Sequence, residues 1–378
     1  MPEVVLDELR TDLASLGRPF SPLDVAAALR AQGVVLTDAL IRETLAELRR
    51  GSTGAGPLEE LLNEPDVSDV VVNGPGQVFV DRGSGLERAP LTFVDDEQVR
   101  RLAIRLAAAA GRRLDDASPF VDGRLPGGAR LHAVLAPVAE PGTCLSLRVP
   151  ARRSFALGDL IEAGSLSAEG AALLAGIVAR KEPFLITGGT GSGKTTLLAA
   201  LLALVPPGER IVLVEDAREL VPEHPHCVRL EGRPANAEGT GAITLTTLVR
   251  QALRMRPDRV VLGEVRGPEI ADLLTALNTG HEGGCGTVHA NSTGDVMARL
   301  EALAALGGMS RDACHAQVAS ALRLVIHVTR GADGRRRVAE IGSFVRGVDG
   351  WVTVEPAATL SVDGVIYTPA GAHLRGSA

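Results

Sequence analysis

The chain has 378 residues, of which 45% are hydrophobic and 22% charged, a balance typical of a folded globular protein with two or three domains. Its 39 basic and 46 acidic residues give a net charge of −7, and only 2% are aromatic, so the composition disfavours direct binding of nucleic acid. No apolar run approaches the roughly 20 residues of a membrane span, and the start does not resemble a signal peptide. The four cysteines form no C-x-x-C pair, and the chain is expected to be cytoplasmic.

The first half of the chain changes from helical to β patterning. Apolar residues recur at helical spacing over residues 1–50 and predict three short helices. Residues 51–56 are rich in glycine and serine, which indicates a flexible linker. Short apolar strands, one helix and a hairpin around Pro126-Gly127-Gly128 follow over residues 57–150, and they predict a small α+β domain.

The second half of the chain alternates strands with helices from about Leu166, after a connector over 151–165. Such alternation predicts βαβ units on a largely parallel sheet. Beyond about Val325, an arginine run and a glycine-rich tail predict hairpins and a loose C-terminus. The strands predicted for the parallel sheet are Phe184–Thr187, Ile211–Val214, Val260–Leu262 and Gly286–Val288.

Residues 188–195 match the phosphate-loop pattern G-x-x-x-x-G-K-[ST] in full, between an apolar strand and a helix. Glycines let backbone N–H groups surround phosphate oxygens, and the helix N-terminus adds positive potential. Lys194, one of only two lysines in the chain, would reach the β- and γ-phosphates, and Thr195 would ligate Mg²⁺. Neither lysine is part of an N-K-x-D guanine-reading motif, so ATP is the expected nucleotide. The predicted nucleotide-binding residues are Gly188, Gly189, Thr190, Gly191, Ser192, Gly193, Lys194, Thr195 and Thr196.

Two further strands end in carboxylates, Glu215 and Glu264, and the next one ends in His289. A carboxylate at the C-terminal end of a sheet strand faces the ligand crevice, where it can hold Mg²⁺ through water or orient the attacking water. Both carboxylates are therefore predicted to be catalytic and, with Thr195, to hold Mg²⁺. Many phosphate-loop ATPases carry aspartate at the position of Gly263. Because this chain lacks that aspartate, Glu264 is expected to take more of the metal binding and water activation. His289 could sense the γ-phosphate.

In this order, the phosphate loop and the three strand ends with Glu215, Glu264 and His289 resemble four motifs of the secretion-superfamily ATPases of type II and type IV secretion and type IV pili. Those ATPases carry a Walker A motif, an acidic Asp box, a Gly-Glu Walker B motif and a His box. The resemblance is strongest to the CpaF/TadA subfamily associated with Flp/Tad pili, and it covers roughly residues 57–345. Outside the four motifs it is carried by Asp69–Pro75, Asp122–Arg130, Leu253–Asp258 and Asn278–His281.

The resemblance implies an α/β fold with a RecA-like P-loop ATPase domain, preceded by a small PAS-like α+β domain and a short N-terminal helical segment. It also implies a homo-oligomer, usually a hexameric ring, in which arginines of the PAS-like domain reach the phosphates as arginine fingers. The matching positions are Arg124, Arg130 and Arg148. The corresponding division is a helical segment at 1–50, a linker at 51–56, the PAS-like domain at 57–150, an interdomain linker at 151–165, the ATPase domain at 166–345 and a C-terminal tail at 346–378.

These motifs predict a cytosolic ATPase motor that hydrolyses ATP to ADP and phosphate with Mg²⁺ as cofactor. The resemblance places it at the inner face of the cytoplasmic membrane, where inner-membrane platform proteins of a Flp/Tad pilus or secretion machine would be its partners. Two alternatives stay open. A conjugation-type motor for DNA transfer would be supported by salt-dependent DNA binding. A nucleotide-binding regulator with low turnover would be revealed by a steady-state phosphate-release assay.

Overall fold

The computed structural model describes residues 21–34, 36–37, 40–42, 54–83, 85–150, 154–235, 239–331 and 333–377, together with the single positions 9, 13 and 44. Most of the first and third helices predicted over residues 1–50, and positions 51–53 of the predicted linker, lie outside the described residues. The second of those helices, α1, is Pro22–Ala31, and it begins with a capping box in which Ser21 and Asp24 satisfy each other's backbone N–H groups. Val25 and Leu29 of α1 pack with Leu9 and Leu13 in a small separate core.

The chain divides into two compact units, Met1–Pro150 and Ala151–Ala378. The first unit contains a six-stranded antiparallel sheet in the order β3-β2-β1-β6-β5-β4. Alternate strand residues such as Val70 and Leu147 are buried with the apolar face of helix α3, while the residues between them lie on the opposite face of the sheet. The elements are α2 (Glu59–Asn63), β1 (Asp69–Asn73), β2 (Val78–Asp81), β3 (Leu86–Arg88), α3 (Asp96–Ala109), β4 (Phe120–Arg124), β5 (Arg130–Val134) and β6 (Cys144–Arg148).

The second unit is built on a nine-stranded sheet in the order β15-β14-β13-β12-β7-β11-β10-β8-β9, with helices on both faces. The six strands from β12 to β9 in this order are parallel, as the alternating pattern predicts, and β13 to β15 are antiparallel. The strands are β7 (Phe184–Thr187), β8 (Ile211–Glu215), β9 (Cys227–Glu231), β10 (Arg259–Val265), β11 (Cys285–Val288), β12 (Leu324–Arg330), β13 (Arg336–Arg346), β14 (Val352–Leu360) and β15 (Val365–Tyr367). The helices are α4 (Leu157–Glu162), α5 (Ala168–Ala179), α6 (Lys194–Leu202), α7 (Leu245–Ala252), α8 (Glu269–Asn278), α9 (Val296–Leu306) and α10 (Arg311–Ala321).

The two faces of this sheet have separate hydrophobic cores. Helices α5 and α6 pack on one face, over side chains such as Phe184 and Ile186, and helices α7 to α10 pack on the other, over side chains such as Leu185. Because successive residues of β7 are buried on opposite faces, the strand reads as a continuous apolar run. Among the described helices, none is long and apolar enough to cross a membrane.

The expectation of a loose C-terminus after about Val325 is wrong. β14 pairs along β13, and Ala357, Leu360 and Leu374 are buried in the same core as the phosphate-loop helix α6. β14, β15 and Leu374, all within the stretch assigned to a tail at 346–378, therefore belong to the second unit's sheet or core. The hairpins predicted there are present, but the sequence pattern did not reveal that they extend the parallel sheet.

Candidate active site

The phosphate loop lies between β7 and α6, in the strand–loop–helix context that the motif requires. Gly188 follows β7 so closely against β12 that a Cβ there would lie 2.2 Å from the Val328 carbonyl oxygen. Gly193 is the N-cap of α6 and has a φ of +99°, a left-handed conformation that side chains disfavour. Two of the motif's glycines are thus dictated by the local backbone, which curves into α6 and presents the N-terminus of this helix.

Lys194, the first residue of α6, is 7% exposed and folds back over the loop. Its Nζ donates hydrogen bonds to the carbonyl oxygens of Gly188 at 2.9 Å and Gly189 at 2.8 Å. Burial lowers the pKa of this ammonium, and the negative charge of Glu264 opposes that shift. A buried cation held by two loop carbonyls has donors that phosphate oxygens can take over, which is the role that the motif predicts.

The predicted Walker B and His-box residues meet at this lysine. Glu264 on β10 accepts a hydrogen bond from His289 Nε2 at 2.8 Å, and His289 Nδ1 lies 3.4 Å from Lys194 Nζ. The second carboxylate oxygen of Glu264 accepts from Arg266 Nη2 at 2.6 Å. The structure therefore brings Lys194, Glu264 and His289 into one contiguous cluster, from three separate stretches of sequence.

The pKa values of Glu264 and His289 both lie below their ordinary values. Burial alone would raise the pKa of Glu264, but the hydrogen bond and charge of Arg266, together with His289 and Lys194, lower it below its ordinary value. Burial and the positive charge of Lys194 lower the pKa of His289, against the opposing effect of Glu264. The favoured state is an ionised Glu264 beside a neutral His289 that donates from Nε2 and accepts at Nδ1.

Glu215, at the end of β8, is in a different environment from Glu264. It is 2% exposed, and its Oε1 accepts hydrogen bonds from the backbone N–H groups of Glu219 at 2.9 Å and Leu220 at 2.8 Å. Its Oε2 has no hydrogen-bond partner and lies 3.7 Å from Arg229 Nη2. Burial raises the pKa of this carboxyl, and the two N–H groups lower it again in part.

The packing of position 263 against Glu215 explains why the Walker B motif of this chain carries glycine directly before Glu264. β10 runs beside β8, and a Cβ at position 263 would lie 2.6 Å from Glu215 Cγ. The position is therefore closed to any side chain while Glu215 occupies its present place. The missing aspartate is visible in the sequence, and the structure gives a steric reason for it.

Two residues near Glu264 received no role from the sequence. Arg266 is the cation that holds Glu264, and it also lies 3.9 Å from Asp216. Glu269, 4% exposed at the start of α8, accepts from the backbone N–H groups of Arg266 at 2.7 Å and Gly267 at 2.8 Å. Their proximity to Glu264 in sequence was a usable signal, whereas a third contact, from Arg336 to the phosphate loop, had none.

The three predicted finger arginines lie in one row across the first unit's sheet. Arg124 on β4 is directly opposite Arg130 on β5, and Arg130 is directly opposite Arg148 on β6. Arg148 also pairs with Asp69 at 3.0 Å. Residues directly opposite across antiparallel strands project from the same face, so the three arginines share the face away from the buried core. Like charges directly opposite one another in a sheet reduce stability.

The residues of the second unit fit Mg²⁺ bound together with a nucleotide. Among the described residues, no group of three or more His, Cys, Asp or Glu side chains could hold a metal ion on its own. Mg²⁺ commonly keeps few protein ligands and takes the remainder from phosphates and water. Thr195 is half-buried directly after Lys194, and Oε2 of buried Glu215, which accepts no hydrogen bond, is an acceptor available to a metal-bound water.

A family model described as "Type II/IV secretion system protein" matches residues 51–360. The chain belongs to this family. A Mycobacterium tuberculosis protein named as a conjugal transfer protein is 57% identical over 313 residues, which are 81% of this chain and 89% of that protein. The type IV secretion system protein PtlH from Bordetella pertussis is 35% identical over 317 residues, covering 75% of this chain and 92% of PtlH.

Two solved structures of other proteins share the fold of this chain. The ATPase DotB from Legionella pneumophila aligns with a TM-score of 0.52 at 20% identity, over 77% of this chain and 80% of DotB. The pilus retraction motor PilT, solved with bound ADP, aligns with the same TM-score at 17% identity, over 84% of each chain. The predicted fold class, a RecA-like α/β domain preceded by a small α+β domain, is confirmed.

Proposed function

We propose that this member of the type II/IV secretion system family is an ATP-hydrolysing motor. The observation that carries the proposal is the cluster of Lys194, Glu264 and His289 at the phosphate loop, with a buried ammonium, an ionised carboxylate and a neutral imidazole in contact. A loop that merely bound a nucleotide would need the lysine but would not need a carboxylate held in its charged form beside it.

Each residue of the cluster has a distinct part in this proposal. Lys194 neutralises charge on the β- and γ-phosphates, and Glu264 orients the water that attacks the γ-phosphate. His289 couples the position of the Lys194 ammonium to that of the Glu264 carboxylate, because its two ring nitrogens contact one group each. Thr195, Glu215 and Glu264 hold Mg²⁺, the carboxylates through water, and Mg²⁺ when bound supplies neutralisation of the phosphate oxygens.

We further propose that Arg124, Arg130 and Arg148 act as arginine fingers and that the protein works as a hexameric ring. The register of the three arginines across β4, β5 and β6 supports this assignment, because it concentrates on one face the positive charge that a γ-phosphate would attract. Assembly of the ring would then complete each site.

For the machine that the motor serves, we propose a Flp/Tad pilus or secretion assembly at the inner face of the cytoplasmic membrane, with platform proteins as partners. The residues that resemble the CpaF/TadA subfamily support this interpretation. A second candidate, a conjugation motor for DNA transfer, is favoured by the name of the 57% identical M. tuberculosis relative. The net negative charge of this chain argues that such a motor would drive transfer without itself binding DNA.

The activity is tested by measuring phosphate release and nucleotide binding for the wild-type chain, Lys194→Ala, Lys194→Arg and Glu264→Gln. We expect both lysine variants to lose hydrolysis, because a guanidinium fork does not fit where a compact ammonium donates to two loop carbonyls. Glu264→Gln should retain ATP binding and lose hydrolysis by about 10²-fold or more. Wild-type-like hydrolysis in a folded Lys194→Ala protein would refute the site, and absence of turnover in the wild type would favour the low-turnover regulator.

The machine is tested in the source cell by replacing the gene with its Glu264→Gln version. Loss of surface pili or of secreted protein, with unchanged DNA transfer, is expected for a pilus or secretion motor. Loss of DNA transfer alone would favour the conjugation motor. We expect the Glu264→Gln protein to remain in the assembly, so that the comparison separates hydrolysis from assembly.

A further inference from the structure

The β12–β13 hairpin runs along the phosphate loop. β12 is parallel to β7, with His327 directly opposite Thr187, the last residue before the loop. One residue further along β12, the Val328 carbonyl oxygen occupies the space beside Gly188, where a Cβ would lie only 2.2 Å away. The start of the loop is therefore fixed by the first strand of this hairpin.

The second strand of the hairpin contacts the other end of the loop through Arg336. Its Nε donates a hydrogen bond to the Gly191 carbonyl oxygen at 2.9 Å. Its side chain also covers Gly193, where a Cβ would lie 3.1 Å from Arg336 Cδ. Arg336 is thus placed against the loop on two sides of the turn into α6. It belongs to the run Arg335-Arg336-Arg337, whose third member pairs with Asp333 inside the hairpin turn.

The hydrogen bond to Gly191 sets the direction of one loop N–H group. In a trans peptide unit the carbonyl and the N–H point to opposite sides. Because Arg336 holds the Gly191 carbonyl, the N–H of the same unit, which belongs to Ser192, is directed back across the loop, where it meets Gly189 O at a long 3.4 Å. A bond of that length is weak, and a phosphate oxygen is a stronger acceptor for the same N–H.

We propose that Arg336 is a positioning residue for the phosphate loop. By holding the Gly191 carbonyl away from the bound phosphates, it keeps the Ser192 N–H available to them and limits the number of conformations that the loop must give up on binding. The proposal rests on the function proposed above, since it takes ATP as the loop's ligand. It predicts an effect on nucleotide affinity that does not depend on the γ-phosphate.

The experiment compares Arg336→Ala and Arg336→Lys with Arg335→Ala in the full chain. Arg335→Ala removes the same charge from the adjacent position of the hairpin and is the matched control. Dissociation constants for ATP and ADP are measured by titration with Mg²⁺ present, and kcat and KM are measured by phosphate release. Amide hydrogen exchange over residues 189–194 is measured without nucleotide, and melting temperatures identify any variant that has lost its fold.

For Arg336→Ala we expect ATP and ADP binding to weaken by the same factor, about tenfold for the loss of one charge-assisted hydrogen bond. KM should rise with kcat nearly unchanged, loop exchange should become faster, and Arg336→Lys should recover part of the affinity, because an ammonium can also donate to Gly191 O. Equal loss in Arg335→Ala, loss for ATP but not ADP, or unchanged affinity would each overturn the proposal. Because binding is measured separately, a chain that binds ATP without hydrolysing it would refute the ATPase proposal and leave the role of Arg336 standing.

Discussion

His289 connects the cation and the carboxylate of the site. Its Nε2 donates to Glu264 at 2.8 Å, and its Nδ1 lies 3.4 Å from the Lys194 ammonium. The contact at Nδ1 requires a neutral ring, because a proton on Nδ1 would face the lysine cation, whereas Nε2 can donate to Glu264 in either state. Burial and Lys194 accordingly lower its pKa below the ordinary histidine value of about 6.5.

The rate of ATP hydrolysis should therefore fall at acidic pH, with an apparent pKa below about 6.5 that belongs to His289. As pH falls, the ring takes up a proton on Nδ1, repels Lys194 and draws Glu264 away from the attacking water. The free energy of unfolding should fall with pH in the same direction, because the unfolded chain takes up this proton at a higher pH than the folded protein. The contribution of His289 to stability is therefore complete above about pH 6.5, and it declines as pH falls toward the lower pKa of the folded protein. The measurement is the pH profile of kcat/KM, which reports the groups of the nucleotide-free protein.

His289→Gln is the control for this pH profile, since its amide has the ring's hydrogen-bonding capacity but does not titrate. We expect its kcat/KM to be lower and the acidic limb of the kcat/KM profile to be flat down to the titration of Glu264. An unchanged acidic limb in His289→Gln would assign the titration to another group.

Among the elements, the pairing of β8 with β10 determines the position of Glu215. Leu262 pairs with Val214, so the residues that follow, Gly263 and Glu215, lie side by side at the ends of parallel strands. Close packing there would leave only 2.6 Å between a Cβ added at position 263 and Glu215 Cγ. One missing methyl group therefore allows a buried carboxylate at this edge of the sheet.

Gly263→Ala should destabilise the protein by about 1–3 kcal/mol, the usual cost of inserting a methyl group into a packed site. It should also lower hydrolysis, because Glu215 must leave its two backbone N–H donors to make room. Urea unfolding and phosphate release measure the two effects. Gly208→Ala is the matched control, since a Cβ at 208 meets nothing within 4 Å; equal effects of the two substitutions would contradict the steric explanation.

The arginine row is an arrangement that costs stability within the first unit's sheet. Arg130 lies between Arg124 and Arg148 on the neighbouring strands, and its nearest ion-pair partner, Asp122, is 3.8 Å away. Its removal should relieve repulsion from two sides while losing only a weak surface ion pair.

Arg130→Gln should leave the free energy of unfolding unchanged or slightly higher and should lower kcat more than it weakens ATP binding. Arg101→Gln, on the exposed side of α3 in the same unit, is the control for loss of one positive charge. Thermal unfolding and steady-state kinetics measure both properties. A kcat equal to that of the control would mean that Arg130 is an ordinary strand residue.

For the whole molecule, the N-terminal boundary of the second unit determines which residues a fragment of that unit must contain. Leu160 of α4 packs in the same core as α6, and the Ser165 carbonyl accepts a hydrogen bond from Val338 of β13. Both residues belong to the stretch that the sequence assigns to an interdomain linker. A fragment must therefore begin near Ala151 and extend through Leu374 to keep its core complete.

The fragment 151–378 should bind ATP with nearly the affinity of the full chain, because the phosphate loop and its contacts are all included. It should hydrolyse ATP more slowly by about 10²-fold or more, since arginine fingers contribute about 10³–10⁵ in kcat in other nucleotide enzymes. Turnover is measured beside the full chain at saturating ATP and equal protomer concentration. Equal rates would show that Arg124, Arg130 and Arg148 take no part in hydrolysis.

The sequence by itself determined the phosphate loop, the strands β7, β8, β10 and β11, and the catalytic candidates Lys194, Glu264 and His289. Each of these depends on local rules: glycine and lysine at fixed spacing, apolar runs of strand length, and carboxylates directly after them. Such signals are complete within about ten residues, so one sequence is enough to identify them.

The tertiary structure alone decided the pairing of β12 to β15 with the parallel sheet, the steric reason for Gly263, and the contact of Arg336 with the phosphate loop. Gly263 and Glu215 are 48 positions apart, and Arg336 and Gly191 are 145 apart. Periodicity describes which face of an element is apolar but not which other element will cover it, because that choice depends on the packing of the whole sheet. The same physics explains why the hairpins after Val325 were predicted as elements but not as part of the core.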